Sequence, residues 1–272
     1  MLVKILIDNV SKNELVCEWG LAVYIEYKGH HFLLDTGASE KFTENASALD
    51  IDLANVEYGV LSHAHFDHAD GMAAFFGEND RASFYLRKSS AENCYSGKGA
   101  GSKYIGIHRG FLDTYRDRLV YVDGDYELMP GVYLIPHKTD GLEEQGRNAN
   151  QYVRIGENWY PDNYQHEQSL VFDTEQGMVI FNSCSHGGAD CIIREVEKTF
   201  PGKQIYALVG GLHLFRKSPE DVEALAEKIH ETGIQKIITG HCTGDEAMQI
   251  LQEKLGDIVE SIYTGKSFYF AE

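Results

Sequence analysis

Ser62-His63-Ala64-His65-Phe66-Asp67-His68 stands directly after an apolar run, Val56 to Leu61, and its reading decides the fold. Imidazole and carboxylate are natural ligands of Zn²⁺ and of divalent iron or manganese. In an extended turn after a strand, residues i and i+2 project to one side, so His63 and His65 aim at a common point. Asp67 and His68, opening the next helix, aim at a second point close by. Two cations so spaced can share a bridging hydroxide and draw its pKa toward neutrality. A surface turn capped by Asp67 is the plainer reading, but it leaves three imidazoles and a carboxylate clustered without a purpose.

Outward from this stretch, one form recurs: apolar strand, then a turn of small residues and histidine, then helix. It appears at 56–68, 178–190, 204–220 and 234–250. Upstream, strands are expected at 2–8, 21–27 and 31–35, the last two joined by Lys28-Gly29, with a helix at 39–49. A short helix follows the histidine cluster through Ala73-Ala74-Phe75-Phe76. Downstream, a hairpin at 169–173 and 178–182 turns around Gly177. Helices are expected at 189–200, 219–232 and 245–255, with strands at 204–209, 234–239, 258–263 and 267–270. Polar groups at strand C-termini of an α/β fold converge on one sheet edge, where ligands bind. His186, His213 and His241 stand at such ends, so His186 and His241 are candidates to complete two metal shells. His213, flanked by Leu212, Leu214 and Phe215, is expected as a substrate contact or a buried support.

The pattern His63-x-His65-x-Asp67-His68 after a strand resembles the signature of the metallo-β-lactamase superfamily, whose fold is a four-layer αββα sandwich with metals at one edge. Leu34-Asp35-Thr36-Gly37 looks like that superfamily's early Asp-x-Gly turn. Glu18-Trp19-Gly20-Leu21, Glu167-Gln168-Ser169-Leu170, Ser183-Cys184-Ser185-His186-Gly187-Gly188, Gly211-Leu212-His213-Leu214 and Thr239-Gly240-His241-Cys242-Thr243-Gly244 narrow the resemblance to one branch. That branch contains an archaeal dihydropterin aminobenzene ribotide phosphate synthase and bacterial metal-dependent hydrolases. The resemblance implies one or two divalent transition metals, zinc foremost, with iron or manganese as alternatives. His63, His65 and His186 would hold one, and Asp67, His68 and His241 the other. Cys184 falls roughly where the superfamily has a bridging aspartate, and His166 roughly where it has another histidine; Cys184 ranks below His186 as a ligand, and His166 below both. Asp67 and His213 are the candidate catalytic residues.

Composition sets the frame. The chain has 272 residues, 24 Lys+Arg against 42 Asp+Glu, and a formal net charge of −18. One compact α/β domain over 1–272 is expected. Such an acidic chain disfavours nucleic acid and anionic membranes as partners, and no apolar window is long enough to span a bilayer. The opening residues read as a first strand rather than a signal peptide. Five cysteines without a CxxC pair suit a reducing cytoplasm. Against the global charge, residues 87–118 carry seven bases and three acids, with glycines and aromatics interspersed. This segment is expected as a glycine-rich loop offering Lys98, Lys103 and Arg109 to a small anionic substrate; 156–166 is expected as a second loop facing the site. The leading function is hydrolysis of an ester, amide or phosphoester by metal-bound hydroxide. Alternatives are a pterin-diphosphate-dependent transferase, a diiron redox protein and a non-catalytic metal-binding module. The oligomeric state is not written in the sequence.

Overall fold

The computed structural model describes residues 1–12 and 14–272. The chain begins with β1 (Leu2–Ile7), β2 (Ala22–Tyr27), β3 (His30–Leu34), α1 (Lys41–Ala48), β4 (Tyr58–Val60), α2 (Phe66–Ala69), α3 (Met72–Glu78) and β5 (Ser83–Arg87). It continues through β6 (Cys94–Ser96), β7 (Lys103–Tyr104), α4 (Phe111–Thr114), β8 (Leu119–Val122), β9 (Tyr126–Met129), β10 (Val132–Pro136), α5 (Leu142–Asn148), β11 (Gln151–Ile155) and β12 (Asn158–Pro161). The last part holds β13 (Gln168–Thr174), β14 (Gly177–Phe181), α6 (Ala189–Thr199), β15 (Ile205–Val209), α7 (Pro219–Glu231), β16 (Lys236–Thr239), α8 (Asp245–Leu255), β17 (Val259–Ser261) and β18 (Ser267–Tyr269). Two seven-stranded mixed sheets result, in the orders β18-β1-β2-β3-β4-β5-β8 and β17-β16-β15-β14-β13-β10-β9.

Side-chain alternation along the strands explains why these sheets stack. Phe32 and Leu34 of β3, Leu170 and Phe172 of β13, and Val179 and Phe181 of β14 share one core between the sheets. The intervening Leu33 turns outward to meet Phe42 of α1 and Phe75 of α3. Val171 and Ile180 turn outward to meet Ile193 of α6, Val222 of α7 and Leu251 of α8. Each sheet thus buries both faces, and the layers run α/β/β/α. Lys28 and Gly29 both adopt positive φ, 48° and 78°, the conformation a two-residue hairpin turn requires. Ser218 caps α7 by accepting from the Asp221 N–H, with Pro219 in the first turn.

The segments expected as loops at 87–118 and 156–166 are corrected. β6, β7, β11 and β12 form a third sheet, in the order β12-β11-β6-β7. Its strands are two to five residues long and interrupted by glycines and charges, too short to show a period. An isolated antiparallel bridge between His65 and Gly106, both outside the strands, ties the histidine turn to the segment after β7. Among the described residues, no helix is long and apolar enough to cross a membrane.

Candidate metal centre

β4 runs parallel to β3 and delivers Ser62 and His63 to the sheet edge. The Asp35 carboxylate receives the Ser62 N–H at 2.7 Å and the Ser62 hydroxyl at 2.6 Å, which fixes the start of the turn. His65 precedes α2, and that four-residue helix places Asp67 and His68. From the second sheet, the turns after β14, β15 and β16 bring in Cys184 and His186, His213, and His241. Asp35, Ser185, His213 and His241 all adopt left-handed backbone, with φ between 49° and 58°. For residues other than glycine this costs about 1–3 kcal/mol each, a concentration of strain at one edge.

His63, His65 and His186 form a near-regular triangle, with ring centroids 4.6, 4.7 and 4.9 Å apart. Their ligand-capable nitrogens lie within 4.8 Å of one another. Each Nε2 is buried without a hydrogen-bond partner, although leaving such an atom unpaired ordinarily costs about 1–3 kcal/mol. The opposite nitrogens of two of them are engaged: His63 Nδ1 meets Ser62 Oγ at 2.8 Å, and His186 Nδ1 meets Glu167 Oε2 at 2.5 Å. Outer partners of this kind fix imidazole orientation at metal sites.

A second group lies alongside. His68 Nε2 and His241 Nε2 are 3.2 Å apart, and Asp67 Oδ2 stands 3.7 Å from each. Cys184 Sγ is 3.3 Å from His68 Nε2. Asp35 Oδ2 holds His68 Nδ1 at 2.8 Å, and Asn9 Oδ1 holds His241 Nδ1 at 3.0 Å. Burial, reinforced by neighbouring imidazoles, drives His63, His65 and His241 well below the usual histidine pKa, so they present neutral nitrogens. At His68 burial acts the same way, but Asp67 and Asp35 outweigh it and push the group up to about 9. Unpartnered imidazole nitrogens grouped with a carboxylate and a thiol suit a divalent transition metal.

The His213 ring lies 4.4 Å from that of His186, tilted by 48° to it, with a buried, unpartnered Nδ1. His166 has both nitrogens engaged: Nδ1 accepts from the Ala64 N–H at 3.2 Å, and Nε2 donates to Asp162 Oδ2 at 3.0 Å. It braces the His63–His65 turn from behind, although with His65, Cys94 and Asp162 it forms another group of potential donors.

Both groups open onto a cavity of about 680 Å³, which His213 also lines. Trp19, Phe66 and Phe215 supply aromatic wall, and Lys103, Arg216 and Lys217 supply positive charge. Of the three bases expected at the substrate, Lys103 lines this cavity. Lys98 and Arg109 are not among its lining residues: Lys98 lies over the Tyr152 ring, and Arg109 donates to the Tyr95 hydroxyl and stacks on Tyr104. Sequence reasoning missed Arg216 and Lys217, which follow His213 closely enough to share its strand end. It also missed Asn9, which nothing in its local sequence distinguishes, and the orienting role of Glu167.

Comparison with known proteins bears on the fold that carries these residues. Residues 20–149 match the family model of the metallo-β-lactamase superfamily. The chain is 26% identical to the 7,8-dihydropterin-6-methyl-4-(β-D-ribofuranosyl)-aminobenzene-5′-phosphate synthase of Methanocaldococcus jannaschii, over 92% of this chain and 90% of that protein. Tm1679, a metal-dependent hydrolase of the β-lactamase superfamily, superposes with a TM-score of 0.86 and 26% identity, covering all of both chains. A diphosphatase of the PhnP family shares the fold at a TM-score of 0.53 and 14% identity, over 99% of this chain and 97% of that one.

Proposed function

We propose that this chain is a metal-dependent hydrolase of the metallo-β-lactamase superfamily, acting on an ester, amide or phosphoester in a small anionic substrate. The observation that carries the reading is the triangle of buried, unpartnered Nε2 atoms on His63, His65 and His186, beside the group Asp67, His68 and His241. Cys184 lies at the edge of both groups. A divalent transition metal held there, zinc foremost, would supply Lewis acidity, making water nucleophilic near neutral pH and stabilising developing negative charge. Asp35, Glu167 and Asn9 hold the ligand imidazoles by their Nδ1 atoms. Asp67, on the cavity wall, accepts a proton from the attacking water. His213 contributes a neutral imidazole, since burial and His186 lower its pKa, and it hydrogen-bonds the substrate oxygen that gains charge. Lys103, Arg216 and Lys217 attract and orient the anion, while Trp19, Phe66 and Phe215 exclude water from its apolar part.

A second reading is supported by similarity to the archaeal synthase along nearly the whole chain. In that case the same residues would hold the metal against a diphosphate leaving group, and the nucleophile would be an aromatic ribotide rather than water. One experiment tests both: metal content by elemental analysis, followed by turnover assays on phosphoesters, lactones and pterin diphosphates. Hydrolysis that depends on bound metal supports the first reading, and condensation without hydrolysis supports the second. Replacing His63 and His65 together by alanine should empty one site and abolish turnover. Wild-type metal stoichiometry in that variant contradicts the assignment.

A further inference from the structure

Cys242 immediately follows His241, and its thiol enters the same edge. Its Sγ lies 3.3 Å from Cys184 Sγ, and Cys184 Sγ is itself 3.3 Å from His68 Nε2. Cys184, His241 and Cys242 offer donor atoms all within 4.8 Å of one another, and all three residues are buried. Two thiolates on one tetrahedral zinc are roughly 3.8 Å apart, given Zn–S bonds of about 2.3 Å, so small side-chain rotations bring both sulfurs to a common ion.

The surroundings of Cys242 are shaped around its sulfur. A Cβ on Gly211 would stand 2.5 Å from Cys242 Sγ, so only glycine leaves the thiol its place. His213 donates its backbone N–H to the same sulfur at 3.2 Å, from a left-handed residue with φ of 50°. An N–H directed at sulfur is the kind of outer contact that tunes a metal-bound thiolate. Cys184 also belongs to the potential ligand groups His63–His68–Cys184 and Cys184–His186–His213, so its sulfur lies between the two metal positions.

We infer that Cys242 is a metal ligand, and that it and Cys184 make the second position a thiolate-bound site with His68 and His241, Asp67 standing on the cavity side. The inference rests on the metal-dependent reading above and specifies the chemistry of its second position. Soft thiolate ligands select zinc and other thiophilic metals over manganese or magnesium.

Cobalt(II) titration of the full metal-free chain, kept reduced under argon, tests this without any activity assay. Wild type should develop near-ultraviolet sulfur-to-cobalt charge-transfer absorption along with the visible bands of a low-coordinate ion. In Cys242→Ser that absorption should fall to roughly half, as one of two thiolates is lost, and Cys17→Ser and Cys191→Ser should leave it unchanged. Visible cobalt bands without the sulfur absorption, or absorption unaltered in Cys242→Ser, would overturn the inference and leave the histidine-based reading standing. No cobalt bound at all would overturn both. X-ray absorption of the zinc-loaded protein gives the same decision: sulfur at about 2.3 Å in wild type that diminishes in Cys242→Ser supports the inference, and sulfur unchanged in the variant, or a shell of nitrogen and oxygen alone at about 2.0–2.2 Å, contradicts it.

Discussion

Glu167 orients the first ligand triangle. One of its oxygens holds His186 Nδ1 and the other meets His137 Nε2 at 2.9 Å, so the carboxylate is fixed at both ends. Burial alone would raise its pKa, but His186 and His137 outweigh burial and keep it ionised. Glu167→Gln keeps the shape and removes the charge. Outer partners of metal-bound histidines are worth about 10–100-fold in affinity, and a loss of that size should appear in competition with a chromophoric chelator. Unchanged affinity would deny Glu167 this role. Legibility at this scale followed sequence spacing. His63, His65, Asp67 and His68 announce themselves within six residues, whereas Glu167 reaches His186 across 19 residues and Asn9 reaches His241 across 232. Only the folded sheet edge makes those pairs.

The strand–turn–helix units of the second half were legible because each pairs a continuous apolar strand, buried on both faces, with a helix of 11 to 13 residues, and β13 to α8 fall within a few residues of expectation. The third sheet was not, since Lys103-Tyr104 and Cys94-Tyr95-Ser96 are too short to carry a pattern and gain their structure from pairing with each other and with β11. That sheet sorts the bases of 87–118 by consequence. Lys103 on β7 lines the cavity, while Arg109 is spent on Tyr95 and Tyr104. Lys103→Glu should therefore raise KM for an anionic substrate several-fold, on the order of 1 kcal/mol for one partly screened charge, and affect a neutral analogue less. Arg109→Glu should leave both nearly unchanged. Equal effects of the two reversals in steady-state kinetics would remove Lys103 from the substrate's path.

Across the whole molecule, His137 ties the end of β10 to α6 and to the residue before β13. It contacts Glu195 Oε2 at 3.0 Å and Glu167 Oε1 at 2.9 Å, while a Cβ on Gly187 would stand 2.2 Å from its ring. Burial disfavours its charge, but the two carboxylates prevail and raise its pKa from 6.5 to about 9. A pKa raised by folding gives stability that is fully present below about 6.5 and is lost as pH rises through about 9. The shift corresponds to something on the order of 3 kcal/mol. His68 and His166 shift in the same direction, so the difference between wild type and His137→Gln isolates this residue. In urea unfolding of the metal-free chain, that difference should shrink from pH 6.5 to 9, and a constant difference would contradict the pairing. The account as a whole rests on metal at the sheet edge. Anomalous diffraction from crystals of the metal-loaded protein tests it most directly. The expected result is a peak bounded by the Nε2 atoms of His63, His65 and His186, with a second bounded by Asp67, His68 and His241. Metal found only elsewhere, or these imidazoles turned away from every peak, would contradict the account.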